Sequence, residues 1–177
     1  MMGTLNTTPA LDRADLLAGP VEAALRDRGR LADVVLVAEI DPELADTAAF
    51  CTAYDIGMDQ SANCVVVAGK REGEIRYAAC MVLATTRADV NGVVRRHLDV
   101  RKASFAPMET AVAETGMEYG GITPIGLPKG WPILIDARVV EVSHAVIGSG
   151  VRRSKLVLPG AALAELPGAE VIADLAR

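Results

Sequence analysis

The sequence is short of most residues that carry out chemistry. Its 177 residues include two histidines, His97 and His144, and three cysteines, Cys51, Cys64 and Cys80. Neither histidine has metal-ligand spacing to the other or to a cysteine, so neither a structural zinc nor a His-rich catalytic metal is expected. The cysteines form no Cys-x-x-Cys pair and sit inside apolar patterns, which reads as buried free thiols in a reducing compartment. No Gly-x-Ser-x-Gly elbow exists, and neither histidine has a triad context. Gly148-Ser149-Gly150, followed by Arg152, Arg153 and Lys155, lacks the Gly-Lys-Ser/Thr ending of a P-loop, which argues against an NTPase. Aromatics make up only 3% of the chain, so Val, Leu, Ile and Ala must build the core. The longest apolar runs, Cys64 to Gly69 and Ala78 to Ala84, are far too short to span a bilayer. The polar stretch from Met1 to Ala10 has no signal-peptide character. The expectation is a cytoplasmic protein with no membrane partner. The net charge of −5 argues against broad coating of nucleic acid, while leaving room for a small site that grips one end.

What is present fits one domain of ordinary globular composition, with 51% hydrophobic and 23% charged residues. Residues 11 to 29 read as helical, with Pro20 in a first turn. Asp33 to Glu39 reads as a strand, and a helix follows from Asp46 or Thr47 to about Asp55. Asn63 to Ala68 and Ile75 to Leu83 read as a hairpin around a Gly69–Gly73 loop. After Asp89, residues Val90, Val93, Val94, His97 and Leu98 form one helical stripe, which makes His97 a core or boundary residue. Pro107 to Glu114 suggests a short helix ending near Gly116. Trp131 to Asp136, Val139 to Ile147 and Ser154 to Leu158 read as strands, followed by a turn and helix from Pro159-Gly160 and a short element around Val171. Strands and helices alternate without a regular βαβ period, so the expected class is α+β.

The glycine-rich stretch Tyr119-Gly120-Gly121-Ile122-Thr123-Pro124-Ile125-Gly126 carries the most chemical information. Gly120 and Gly121 can adopt positive φ and turn their N–H groups outward. Pro124 holds Thr123 extended. Such a loop can aim backbone donors at a developing oxyanion without a catalytic side chain; a structural turn is the alternative. The Gly148-Ser149-Gly150 turn is similarly open, either as a small anion nest or as a plain strand connection. The basic groups Arg95, Arg96, Arg101 and Lys102, and Arg152, Arg153 and Lys155, read as solvated faces or binding patches.

The stretch from Thr115 to Gly126 resembles the Gly-Gly-x-Ser-Pro-x-Gly signature of the YbaK/ProX-type aminoacyl-tRNA editing domains. Ile133 to Ala137 and Val146 to Arg152 are similar to the strands and glycine turn that follow it in that family. The hairpin and the Asp89 helix fall in similar order upstream. The resemblance spans roughly residues 33 to 177, so residues 1–30 are expected to form an N-terminal helical extension and residues 31–177 the editing domain. It implies a mixed, partly barrel-like sheet surrounded by helices. It also implies a free-standing enzyme without a cofactor that hydrolyses the ester of a mischarged tRNA, with the tRNA 3′ end, and a synthetase, as partners. A synthetase pocket separates near-isosteric amino acids by only ~1–3 kcal/mol per methylene, which is why a second hydrolytic site is useful. The implied chemistry is substrate-assisted: Gly120, Gly121, Ile122, Thr123 and Pro124 hold the aminoacyl carbonyl while the terminal ribose helps to activate water. Asn63, Ile125, Gly126, Gly148, Ser149 and Gly150 are the implied binding residues.

Two side chains depart from the family pattern. The family lysine on the first hairpin strand is Asn63 here, and an acidic residue after the glycine turn is Lys155. Lys70 lies too far along the hairpin to be an obvious replacement. These departures keep a second reading open, that of a catalytically silent module binding tRNA or a small molecule with the same fold. A third is a hydrolase or binder of an unrelated small molecule.

Overall fold

Alternation along the strands explains the architecture of the computed structural model, which describes residues 2–177. One sheet has the order β1-β2-β8-β7, formed by Thr7–Pro9 (β1), Leu36–Glu39 (β2), Ala145–Gly148 (β7) and Ser154–Leu158 (β8). The other has the order β5-β3-β4-β6-β9, formed by Ala62–Arg71 (β3), Glu74–Leu83 (β4), Ala103–Phe105 (β5), Ile133–Asp136 (β6) and Ala169–Ile172 (β9). In the first sheet Val37, Ile147, Leu156 and Leu158 point into a shared central core, while Leu36, Val146 and Val157 point to the opposite face. In the second, Met81 and Leu83 join the central core, while Ala78, Cys80 and Val82 face away from it. Both sheets therefore need cover on two sides, and their strands are nearly continuous apolar runs. The helix Thr47–Tyr54 (α3) covers the first sheet with fully buried Phe50. The segment after Asp89 covers the second. The ladders remain separate except for one isolated bridge, Ser61 to Val146, so the sheet is mixed but does not close into a barrel.

The N-terminal region belongs to the same core. The helices Gly19–Asp27 (α1) and Gly29–Ala32 (α2) contribute Val21, Leu25 and Leu31 to the central cluster, and β1 forms an edge of the first sheet. The expected single helix over residues 11 to 29 is broken into a 3₁₀ segment, Ala10–Leu16, and these two helices.

The hairpin extends further than its pattern suggests. Strands β3 and β4 pair from Ala62–Leu83 to Arg71–Glu74, so the connection is only Glu72-Gly73, both at positive φ. A two-residue turn with two left-handed positions matches the twist of the paired strands. The Asp89 segment opens as a π-helical turn, Val90–Val94, capped by the Asp89 carboxylate, and continues as Arg95–Leu98 (α4). Its stripe is buried at Val90, Val94 and Leu98, while His97 sits at the surface with its ring nitrogens near Val93 O and Glu170. The expected strand from Val139 is in part a helix, Ala137–Val140 (α6). Asp136 ends β6 and accepts a hydrogen bond from Arg138 N at 3.0 Å, capping that helix before β7 begins at Ala145. The helix Met108–Thr115 (α5) ends on Gly116 in the left-handed conformation, as its sequence suggests.

Candidate functional site

A cavity of about 320 Å³ opens where the two sheets meet beside the Ser61–Val146 bridge. Its wall combines the start of β3, the residues leading into α3, the end of β7, Lys155 of β8 and the glycine loop at Tyr119, Gly120 and Ile122. Phe105 and Tyr119 also line it, and they are 60% and 53% exposed in a chain with only six aromatic residues.

The glycine loop is held by backbone hydrogen bonds to the glycine turn after β7. Glu118 N donates to Gly150 O at 2.9 Å, and Gly150 N donates to Gly121 O at 2.7 Å. Within the loop, Gly121 N donates to Glu118 O at 3.0 Å. Among the loop residues on the cavity wall, the N–H groups of Tyr119, Gly120 and Ile122 have no protein acceptor among the described residues. Gly120 has φ +86°, a conformation costly for a residue with a Cβ.

Gly121 differs from the expectation. Its φ is not positive and its N–H is already used; close packing is what requires glycine there. A Cβ at Gly121 would lie 2.7 Å from Val151 O, and one at Gly148 would lie 2.5 Å from Gly121 O and 2.7 Å from Ile122 O. Strand, turn and loop backbones therefore touch with no room for side chains.

The structure divides the expected site residues. Asn63, Gly120, Ile122 and Gly148 share the cavity wall. Pro124 and Gly126 line a second cavity of about 620 Å³, together with Trp131 and Leu166. Thr123 and Ile125 are fully buried, and Thr123 Oγ1 has no hydrogen-bond partner. Ser149 is also fully buried; its hydroxyl lies 2.6 Å from Ser154 Oγ, which in turn is 2.6 Å from Leu16 O. Gly150 packs against Ala18. Ser149 and Gly150 thus fasten the turn to the N-terminal region instead of facing the cavity.

Asn63 is positioned by α3: Thr47 Oγ1 donates to Asn63 Oδ1 at 2.8 Å, leaving the Asn63 amide NH₂ without a partner among the described residues. Cys64 is the thiol on the wall, and burial pushes its ionisation far up, which makes it a poor nucleophile. Lys155, singled out in the sequence as a departure from the family pattern, also lies on the wall, which the sequence did not show. The available signal was a lysine within a strand that is buried along its whole length. Arg152 hydrogen-bonds Tyr119 O at 3.3 Å and Pro42 O at 3.1 Å, bracing the rim.

A family model described as the aminoacyl-tRNA editing domain matches residues 41–166, which include this cavity's walls. The chain belongs to that family. Similar folds are found among solved structures of comparable length. A candidate trans-editing enzyme for prolyl-tRNA synthetase aligns with a TM-score of 0.74 and 22% identity, over 88% of this chain and 94% of the other. A hypothetical protein aligns with a TM-score of 0.76 and 19% identity, over 89% and 99%. An epitope-grafting scaffold aligns with a TM-score of 0.72 and 24% identity, over 88% and 95%. At these identities the likeness concerns the fold. None of the described helices of this editing domain is long and apolar enough to cross a membrane.

Proposed function

We propose that this editing domain is an aminoacyl-tRNA deacylase, acting in trans on the ester of a mischarged tRNA. The observation that carries the reading is the chemistry of the cavity wall. Unspent backbone donors of the glycine loop, Gly120 N–H and Ile122 N–H among them, stand beside side chains suited to binding. In this mechanism the ester carbonyl enters the cavity and water adds to its carbon. The negative charge that develops on oxygen is taken up by the loop N–H groups, which need no reorganisation because the glycine contacts already fix them. The free hydroxyl of the terminal ribose relays a proton, accepting one from the attacking water as it gives its own to the departing ribose oxygen, and the ester C–O bond breaks. The products are a free amino acid and an uncharged tRNA.

The exposed aromatics at the mouth support a nucleic-acid end as the ligand. Phe105 and Tyr119 provide faces on which the terminal base can stack, a contact worth about 1–3 kcal/mol per base. The net charge of −5 argues against a broad tRNA interface but leaves room for a small grip on one end, with a synthetase as the partner that supplies errors.

The test is hydrolysis of a panel of mischarged tRNAs. Turnover well above the buffer blank on at least one tRNA is the expected result. Blank-level rates on every tRNA would defeat the enzyme reading and leave a binding module, the reading that the neutral Asn63 favours.

A further inference from the structure

Strand β8 is buried from end to end, yet one of its residues is a cation. Lys155 is 8% exposed and lies on the cavity wall. Its Nζ donates to Ala45 O at 3.1 Å and sits 5.2 Å from the centroid of the Phe50 ring. Neither partner carries a formal charge. The carboxylate of Asp46 is at the exposed rim, 3.9 Å from Arg152 Nη1, and no carboxylate lies within 4 Å of Lys155 among the described residues. Burial pushes the ammonium below the ordinary lysine value, which marks it as under-compensated. A buried charge whose neighbouring carboxylate, Asp46, stays beyond ion-pair contact is costly to the fold and points to a ligand that completes it.

The rest of the wall points the same way. Asn63 presents its free amide NH₂, and Gly120 and Ile122 present backbone N–H groups. The inner wall is thus rich in donors, while a carboxylate acceptor, Asp46, sits at the rim. At about 320 Å³ the cavity is at the small end of ligand sites, suited to an aminoacyl group. A nucleotide's phosphate stays on the polymer backbone outside, whereas Lys155 is reached by a group that enters.

We propose that Lys155 is a specificity-determining residue that selects aminoacyl groups bearing a side-chain carboxylate, aspartyl or glutamyl, over their amides. The proposal rests on the deacylase reading for its substrate class. The side-chain carboxylate pairs with the Lys155 ammonium, and the substrate's own α-ammonium, repelled by Lys155, turns toward Asp46.

The test uses non-hydrolysable 3′-amide analogues of aspartyl-, asparaginyl- and alanyl-adenosine, with binding measured by calorimetry. Exchanging a charged for a neutral hydrogen-bond partner changes affinity by about tenfold. Wild type is expected to prefer the aspartyl over the asparaginyl analogue by about that factor. In Lys155→Met the preference falls to within about twofold, with aspartyl binding changing more than alanyl binding; Lys155→Gln serves if the methionine variant does not fold. No wild-type preference, or an equal loss for all three analogues, overturns the proposal. So does a loss confined to analogues carrying a 5′-phosphate, which would assign Lys155 to phosphate. Because binding is read without turnover, a protein that discriminates the analogues but hydrolyses no charged tRNA keeps this proposal and sinks the deacylase reading.

Discussion

Gly148→Ala probes the contact that holds the loop donors in place. A Cβ at residue 148 would sit 2.5 Å from Gly121 O, 2.7 Å from Ile122 O and 2.9 Å from Gly121 C. All three neighbours are backbone atoms, so no side chain can swing aside. Ordinary contact begins near 3.4 Å, so the loop must retreat by about 0.5–0.9 Å, at or beyond the ~0.5 Å within which a catalytic group must be held. The N–H of Ile122 moves with its peptide neighbours and leaves the oxyanion position. Losing one such donor costs on the order of 10² in rate, equivalent to ~2.7 kcal/mol of transition-state stabilisation. Overpacking of this kind costs about 1–3 kcal/mol of stability as well, so rates must be compared where both proteins are folded. Gly29→Ala is the control, because nothing lies within 4 Å of a Cβ there. The assay is single-turnover deacylation of a tRNA that wild type hydrolyses, with thermal melting beside it. A Gly148→Ala protein with wild-type rate and wild-type melting temperature would refute the argument that this close approach positions the donors.

Other consequences can be checked independently. Asp136 is 1% exposed and accepts hydrogen bonds from Arg138 N, Arg138 Nε and Ala176 N, so Asp136→Asn should cost about 3 kcal/mol in urea unfolding at neutral pH; a loss under ~1 kcal/mol would contradict the assigned network. Burial alone would raise this carboxyl, but the Arg138 guanidinium and the two backbone N–H groups hold it below its ordinary value of 3.8. Its contribution is therefore present above that value and lost as pH falls through the lower folded value, so the gap between variant and wild type should close in acid. Phe105→Ala and Tyr119→Ala should each raise KM for a charged tRNA by about tenfold with kcat little changed, if the terminal base stacks on them; an unchanged KM in both would remove the stacking platform. Asn63→Lys should retain or tighten binding of a tRNA end and steepen its salt dependence by about one phosphate; an unchanged slope would show that position 63 faces no phosphate.

The elements that were legible in the sequence are those specified by local chemistry. The start of α3 was legible at Asp46 and Thr47, although Asp46 makes no side-chain cap hydrogen bond, and Gly116 closes α5 in the left-handed conformation its sequence suggests. The strand ending β6 was legible, but the helix after it was not. Val139 and Val140 carry strand propensity, and a cap from Asp136 overrides it. Propensity loses there because four hydrogen bonds converge on one buried carboxylate. The glycine loop was legible as a segment, but the roles within it were not. Gly120 and Gly121 look equivalent in sequence, yet one needs its φ and the other needs the absence of a Cβ against Val151. That distinction depends on contacts across about 30 residues of chain, which no local pattern encodes. Ser149 looked available to a ligand in a Gly-Ser-Gly turn, and burial against Ser154 removes it.

Under the deacylase reading, the cavity divides its labour between backbone groups that receive a carbonyl oxygen and side chains that choose the substrate. Backbone N–H groups are held by backbone contacts, and those contacts require small residues at a few places: Gly121 against Val151, and Gly148 against the loop. Nothing in that requirement constrains the side chains on the opposite wall. Asn63 and Lys155 project from strands whose pairing is fixed by main-chain registers, β3 with β4 and β8 with β2 and β7, so exchanging their side chains leaves the ladders intact. The oxyanion geometry and the recognition of the aminoacyl group can then change independently. Under the proposed mechanism, a neutral residue at 63 and a buried cation at 155 would alter what the cavity binds without altering where a carbonyl oxygen would rest. In this arrangement a departure from the family pattern at these two positions bears on substrate choice, while a departure at Gly121 or Gly148 would bear on whether the site can work at all.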